Sequence, residues 1–182
     1  MKKKLVLYFS LLLFQFTLAQ SLLQLSTGKI SIQPTSAFNI DQLRKQQQPI
    51  AGKLFVLLQF RKTLTTQEFK QLSDLGIQLL EYIPPFSYVS SINSTVPKNI
   101  FQQTNIVGIA NIPSSFKLSP VLKQPEKYDW LQGANGRMDV LIKISTGISI
   151  ADAKKYLEQN GFTLSPSPFE SYSILQDRKS VV

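Results

Sequence analysis

The spacing of apolar residues predicts a strand followed by a helix in the first half of the chain. Residues 54–60 (LFVLLQF) form a nearly continuous apolar run of strand length. Apolar residues then recur at helical spacing, and this pattern predicts a helix over residues 66–75. Gly76 follows directly, where a helix that ends in a left-handed cap favours glycine.

The start of this helix carries a capping signal. Thr65 stands three residues before Glu68, the spacing at which a hydroxyl accepts the backbone N–H of the acid and the carboxylate accepts the N–H of the cap. Leu64 and Phe69 flank the box at the positions of a hydrophobic staple. The helix start is therefore the best-defined boundary in the sequence.

The residues after Gly76 predict two more strands, a short helix and a fourth strand. The order strand, helix, strand, strand, helix, strand is the split βαβ pattern of a ferredoxin-like sandwich. Right-handed connections would place both helices on one face of an antiparallel sheet. The predicted elements are strand 77–82, the Pro84-Pro85 turn, strand 86–92, a helix beginning over 96–101 and strand 105–112.

A weaker copy of the same pattern follows from Met138. It has a strand over 140–144, a cap signal from Ser149 to Asp152, and a glycine, Gly161, after the helix. Ile150, Ala153 and Leu157 are expected to form the apolar face of this helix. The fold class is thus predicted as α+β with tandem ferredoxin-like split βαβ sandwiches, although two unrelated halves of similar pattern remain an alternative. The second copy is expected to be incomplete, because its third strand is already close to Val182.

These patterns divide the chain into five segments. The predicted segments are 1–19 signal peptide, 20–52 leader arm, 53–113 first propeptide-like domain, 114–137 linker and 138–182 second, truncated domain. The arm holds a candidate strand around 29–33 and a helical turn around 41–47, and is interpreted as loosely packed. Trp130 in the linker is expected to pack on a neighbouring domain.

The N-terminus predicts export. Three lysines precede an apolar run over residues 5–18, and small residues lie before a cleavage position between Ala19 and Gln20. The run is shorter than the roughly 20 residues that a membrane-spanning helix needs. The expected location is extracellular, periplasmic or at the cell surface, with no membrane association after signal removal.

Composition excludes most hydrolase mechanisms. The chain has no His and no Cys, so it cannot hold a Ser-His-Asp triad, a Cys-His pair or an ordinary zinc site. Its 11 acidic residues form no recognisable motif, and its 20 basic residues are scattered rather than arranged in a nucleic-acid-binding stripe. We therefore expect a non-enzyme with no cofactor, no metal and no nucleic-acid partner.

The stretch KLFVLLQFRKTLTTQEFKQLSDLGIQLLEYIPPFSYVSSI, followed by IVGIANIPSSFKLSP, resembles the inhibitor-type propeptide domain at the N-terminus of exported bacterial subtilisin-like serine peptidases. The resemblance implies a prosegment that assists folding of the peptidase domain, in cis or in trans, and inhibits it. It implies that the sheet packs on the peptidase and that an extended tail occupies the substrate cleft. By position, that candidate tail is Ser114, Ser115, Phe116, Lys117 and Leu118.

A second hypothesis comes from a different functional class. Tandem sandwiches on an exported chain are also typical of a stand-alone interaction or adhesion module, because this fold hosts many functions. A self-contained enzyme is the least favoured hypothesis, since it would require chemistry based on carboxylates alone.

Overall fold

The computed structural model describes residues 21–25, 28–123, 139–166 and 172–177. These residues form an α+β fold with two antiparallel sheets, one of six strands and one of three. The strands are β1 (Ser21–Leu25), β2 (Gly28–Pro34), β3 (Lys53–Phe60), β4 (Ile77–Ile83), β5 (Ser87–Asn93), β6 (Ile106–Asn111), β7 (Asp139–Lys143), β8 (Phe162–Pro166) and β9 (Tyr172–Asp177). The α-helices are α1 (Ile40–Gln46), α2 (Thr66–Asp74), α3 (Ser114–Lys117) and α4 (Ile150–Gln159), and the 3-10 helices are η1 (Lys98–Gln102) and η2 (Pro120–Lys123).

The first unit, which we define as β3 to β6 with α2 and η1, has the element order that the sequence predicts. Its strands lie in the order β6-β3-β5-β4, and each neighbouring pair is antiparallel. The second helix is only a short 3-10 segment. Pro97 precedes it as the N-cap and makes no side-chain capping bond, so nothing at this end favours a longer α-helix.

The predicted capping box of α2 is confirmed. Glu68 N donates to Thr65 Oγ1 at 3.3 Å, and Thr65 N donates to the Glu68 carboxylate at 2.8 Å. Gly76 has a φ of +80°, the left-handed conformation expected of a glycine cap. The helix ends at Asp74, one residue before the predicted end.

The sheet has two faces, because side chains alternate along a strand. We call the face of Leu54, Val56 and Leu58 the helix face, since these residues pack with Leu72 of α2. Ile100 and Phe101 of η1 join the same buried cluster. Both helical elements therefore cover one face of the sheet, as the connections of a split βαβ unit require.

The opposite, outer face carries a second buried cluster, to which the leader arm contributes. Leu57 and Ala110 of the sheet pack there with Ile30 and Ile32 of β2. The β1–β2 hairpin also extends the sheet, because β2 pairs with β6. The interpretation of a loosely packed arm is wrong for these residues, since the hairpin supplies the apolar cover of a sheet face that would otherwise be bare.

The helix of the arm is also held firmly. Ile40 and Leu43 of α1 belong to the helix-face cluster. Arg44 donates from Nε to Ser94 O at 2.7 Å and from Nη2 to Val96 O at 2.6 Å. These bonds join α1 to the loop after β5, so the arm packs on both faces of the first unit.

The second unit consists of β7 to β9 with α4. Its strand order β7-β9-β8 matches β3-β5-β4, and all pairs are antiparallel. Ser149 caps α4 by accepting from Asp152 N at 3.0 Å, and Gly161 has a φ of +87°. Ile150 differs from the prediction: it is 63% exposed, whereas Ala153 is buried. Ile150 begins the helix, and the buried face starts one turn later.

Some predictions fall outside the described residues. These are the signal peptide, the Ala19–Gln20 cleavage position, Trp130 and most of the linker. The first part of the linker is described and contains α3 and η2. No helix in the described part of the chain is long and apolar enough to cross a membrane.

Candidate interaction surfaces

The candidate tail at Ser114–Leu118 is helical rather than extended. Its first four residues form α3, and Phe116 is half-buried against the outer-face cluster. A Cβ placed on Gly28 would lie 3.2 Å from the Phe116 ring, which shows how closely the ring approaches the β1–β2 hairpin. Leu118 is exposed. In this conformation the segment anchors the hairpin to the sheet.

A second part of the outer face is covered by the loop between β7 and α4. A Cβ on Gly147 would lie 3.2 Å from Leu80 Cδ1 and from Ser91 Oγ. Lys53 Nζ donates to Gly147 O at 2.9 Å. The second unit therefore contacts the outer face of the first through the backbone of Gly147, where the absence of a side chain allows the close approach.

Equivalent positions of the two units differ in how far their outer faces are covered. Leu57 in β3 is 1% exposed beneath the hairpin, whereas Leu141, at the matching position of β7, is 50% exposed. Two segments of the same chain thus occupy the outer face of the first unit, and the outer face of the second is open at Leu141.

An aromatic cluster lies at one end of the first unit. Tyr88 is central: its ring centroid lies 5.8 Å from that of Phe60, 5.6 Å from that of Phe69 and 5.1 Å from that of Tyr82. Burial is the main cause that raises the pKa of Tyr88, and the neighbouring Tyr82 adds to it. The contacts of Tyr88 with Phe60 and Phe69 are edge-on, an arrangement that aromatic pairs prefer, and the contact with Tyr82 is tilted.

Phe69 and Tyr82 of this cluster face solvent, and so does Phe86 in the turn after β4. We call Phe69, Tyr82 and Phe86 the aromatic patch, because these large side chains are exposed. The Tyr82 hydroxyl accepts a long bond from Phe86 N at 3.4 Å, and Phe86 has a φ of +53°, which is uncommon for an aromatic residue. The Phe86 backbone therefore lies next to the Tyr82 hydroxyl, and exposed aromatic residues such as these are typical of protein interfaces.

A groove of about 700 Å³ lies between α2 and the segment that joins η1 to β6. Glu68 is on its wall, where the carboxylate accepts from Thr65 N, from Asn105 Nδ2 at 2.6 Å, and from Lys62 Nζ at 3.2 Å. The contacts with Thr65 and Lys62 lower the pKa of Glu68 to about 2, and the hydrogen bond from the Thr65 backbone N–H contributes most. The carboxylate is therefore ionised and engaged in capping, which does not suit a proton-transfer role.

The described residues contain no group of three or more His, Cys, Asp or Glu side chains that could hold a metal ion. They also contain no buried side-chain nitrogen or oxygen without a hydrogen-bond partner. What this part of the molecule offers is surface: the aromatic patch, the open outer face at Leu141 and the edges of the sheets.

Sequence reasoning did not find the aromatic patch or the contact of Gly147 as sites. The patch joins residues from a helix, a strand and a turn, and only the proline pair before Phe86 signals the turn. Gly147 has the sequence context of an ordinary loop glycine. Its packing depends on the placement of one unit against the other, which leaves no local pattern.

Comparison with known proteins gives one match. Residues 24–113 match the model of a family described as a domain of unknown function, DUF8729. No curated protein and no solved structure matches the chain. The matched range runs from β1 to just beyond β6, so it combines the leader arm with the first unit and stops before α3.

Proposed function

We propose that the chain is the non-catalytic prosegment of an exported subtilisin-like serine peptidase, which assists folding of the peptidase domain and inhibits it. The observation that carries the proposal is the strand order β6-β3-β5-β4 with α2 and η1 on one face. It fits the ferredoxin-like split βαβ fold that the resemblance implies. The second unit adds three strands in the same order and supports a tandem arrangement.

The lack of His and Cys in the sequence supports a role in binding rather than catalysis. Such a role needs an exposed surface with large side chains, and the aromatic patch is the surface of the first unit that we assign to the peptidase. Aromatic residues dominate interface energetics because they bury a large area at a small cost in conformational entropy.

The proposal keeps Ser114–Leu118 as the candidate tail, but it now requires this segment to change conformation on binding. To enter a substrate cleft as a strand, α3 would have to unwind and Phe116 would have to leave the hairpin. The helix has only four residues and no side-chain cap, so little local structure opposes this change. The packing of Phe116 does oppose it.

The test measures inhibition and refolding of a subtilisin-like peptidase by the purified chain. We expect slower substrate cleavage and a higher yield of refolded peptidase. Tyr82→Ser removes a ring that is half exposed and should weaken inhibition by about tenfold, as expected for an aromatic interface residue. Leu118→Ser tests the tail, and Ile150→Ser is the matched control on an exposed side chain outside both surfaces.

A chain that is folded but changes neither cleavage nor refolding would contradict the proposal. Loss of inhibition in Leu118→Ser alone would assign the contact to the tail instead of the aromatic patch. Export is a separate part of the proposal: protein recovered outside the cytoplasm should begin at Gln20, as read by N-terminal sequencing.

A second function, a stand-alone exported interaction module, is favoured by one observation. The resemblance implies that the sheet of a prosegment packs on the peptidase, yet Ile32, Phe116 and Gly147 occupy the outer face of the first unit. Under this alternative the chain folds stably, and the aromatic patch binds a different partner. The peptidase assay separates the two functions, because only the prosegment changes cleavage or refolding.

A further inference from the structure

The outer edge of β7 is open in the described part of the chain. Strand β7 pairs there with β9 alone, with Val140 opposite Leu175 and Ile142 opposite Ser173. The equivalent strand of the first unit, β3, is paired on both sides, by β5 and by β6. An edge strand presents a row of backbone N–H and C=O groups that can pair with another strand.

The sequence of β7, Asp-Val-Leu-Ile-Lys, complements itself when it is read in the opposite direction. Antiparallel pairing about Leu141 places position 139 of one copy opposite position 143 of the other, an aspartate opposite a lysine. Val140 then lies opposite Ile142, and Leu141 lies opposite its own copy. Opposite charges and apolar pairs facing each other across an antiparallel ladder are both stabilising.

We propose that two copies of the chain associate through the free edge of β7, in an antiparallel β7–β7 pair centred on Leu141 with an Asp139–Lys143 pair at each end. The two three-stranded sheets then become one continuous sheet of six strands. The contact is isologous, so it closes after two copies and does not propagate into a fibre.

Charge complementarity favours a second copy as the occupant. An arbitrary strand would satisfy the backbone of β7 alone, whereas an antiparallel copy also places both charges opposite their counterparts. A register shift of two residues would leave Asp139 opposite Leu141 and remove both charge pairs.

Of the three other sheet edges in the described residues, those of β1, β4 and β8, two are protected in ways that β7 is not. On β4 the register shifts between Leu79 and Glu81, an irregularity of the kind that turns an edge away from partners. On β8 the strand ends in Pro166, which cannot donate to a ladder. The edge of β7 has neither feature.

The apolar residues of β7 are consistent with further burial. Leu141 is exposed, and Val140 and Ile142 are only half-buried. Pairing with a second copy brings six such side chains into cross-strand contact. This inference does not rest on the peptidase proposal, because association of the chain with itself is measured without a peptidase.

The first experiment measures the dissociation constant of the purified chain by sedimentation velocity at low salt. Asp139→Lys and Lys143→Asp each place like charges opposite each other at both ends of the pair, and each should raise the constant by about tenfold or more. A mixture of the two variants should form heterodimers as tight as the wild-type dimer, because every charge again meets its opposite. Lys154→Asp, an equal charge change at an exposed position of α4, should leave the constant unchanged.

The second experiment uses the absence of cysteine from the chain. Leu141→Cys places two thiols opposite each other on the two-fold axis, at a separation that suits a disulfide. With an added oxidant it should form a covalent dimer faster than Ile150→Cys, whose side chain is exposed away from β7. A chain that is monomeric at every concentration, a dimer that neither charge variant weakens, or equal cross-linking of both cysteine variants would overturn the proposal.

Discussion

The first and second units share a strand order and a capped helix, yet equivalent residues of β3 and β7 differ in burial. Leu54, Val56 and Leu58 of β3 are fully buried, whereas Val140 and Ile142 of β7 are half-buried. In the first unit, α1 of the arm and η1 cover the helix face of β3, the β1–β2 hairpin covers its outer face, and β6 pairs with its edge. The comparison teaches that three paired strands and one helix do not by themselves close a core, and that the additional segments around β3 complete it.

Leu58→Ala and Ile142→Ala test this difference at equivalent positions. Leu58→Ala leaves a cavity in a closed core and should lower the free energy of unfolding by about 2–5 kcal/mol. Ile142→Ala should cost about 1 kcal/mol, because a half-buried side chain loses less apolar contact. Hydrogen exchange of the β3 and β7 amides reports each unit separately. Equal losses at the two positions would refute the proposed difference in burial.

Gly147→Val tests the contact between the units. A branched side chain at this position overlaps the space of Leu80 and Ser91, and overpacking of this kind costs about 1–3 kcal/mol. We expect protection of the β7 amides to fall while that of the β3 amides stays the same. Thr146→Val is the matched control, since Thr146 is the exposed neighbour in the same loop. A similar effect of both variants would mean that the loop, and not the contact, is responsible.

Thr65→Ala and Ser149→Ala remove the equivalent caps of α2 and α4. Each loses a hydroxyl that accepts a backbone N–H, which costs about 1 kcal/mol. The same loss of free energy should increase local unfolding more in the second unit than in the first, because residues of β7 are less buried than those of β3. The ratio of exchange rates between variant and wild type, unit by unit, checks this expectation. Thr65→Ser and Ser149→Thr keep the hydroxyl and should restore protection.

Glu68 gives the first unit an acid-sensitive component of stability. Its pKa in the folded chain is about 2, below the ordinary value of 4.5. The stabilisation is therefore complete above pH 4.5 and is lost as the pH falls towards 2. Denaturant unfolding at a series of pH values measures this loss. Between pH 4.5 and 2, the free energy of unfolding should fall less for Glu68→Gln than for the wild type. Some decline should persist, because Lys98 and then Arg44 also lower the pKa of Asp41.

Local patterns were sufficient to predict the elements of the first unit. The capping box at Thr65, the glycine cap at Gly76 and the apolar run of β3 each depend on neighbours within a few residues. The register shift in β4 and the 3-10 form of η1 were not predicted. They depend on how strands and loops fit together across the sheet.

The arm shows why prediction failed elsewhere. The strand predicted around 29–33 and the turn predicted around 41–47 lie at β2 and α1, but β1 was not predicted. Ile30, Ile32 and Ile40 are isolated apolar positions in short elements. Their burial depends on partners far along the chain, which no window of sequence contains. The candidate surfaces are of the same kind, since the aromatic patch and the Gly147 contact arise only when distant segments meet.

The pairing of β2 with β6 has a consequence for the order of folding. Gln33 of β2 lies opposite Ile109, so the hairpin cannot complete its sheet until almost the whole first unit has been made. Because the chain is synthesised from its N-terminus, the apolar residues of the arm are exposed before the residues that bury them have been made. Such long-range pairing slows folding and leaves the early segment open to aggregation or to chaperones. The arm that closes the first unit is among the first parts to be synthesised and among the last to become protected.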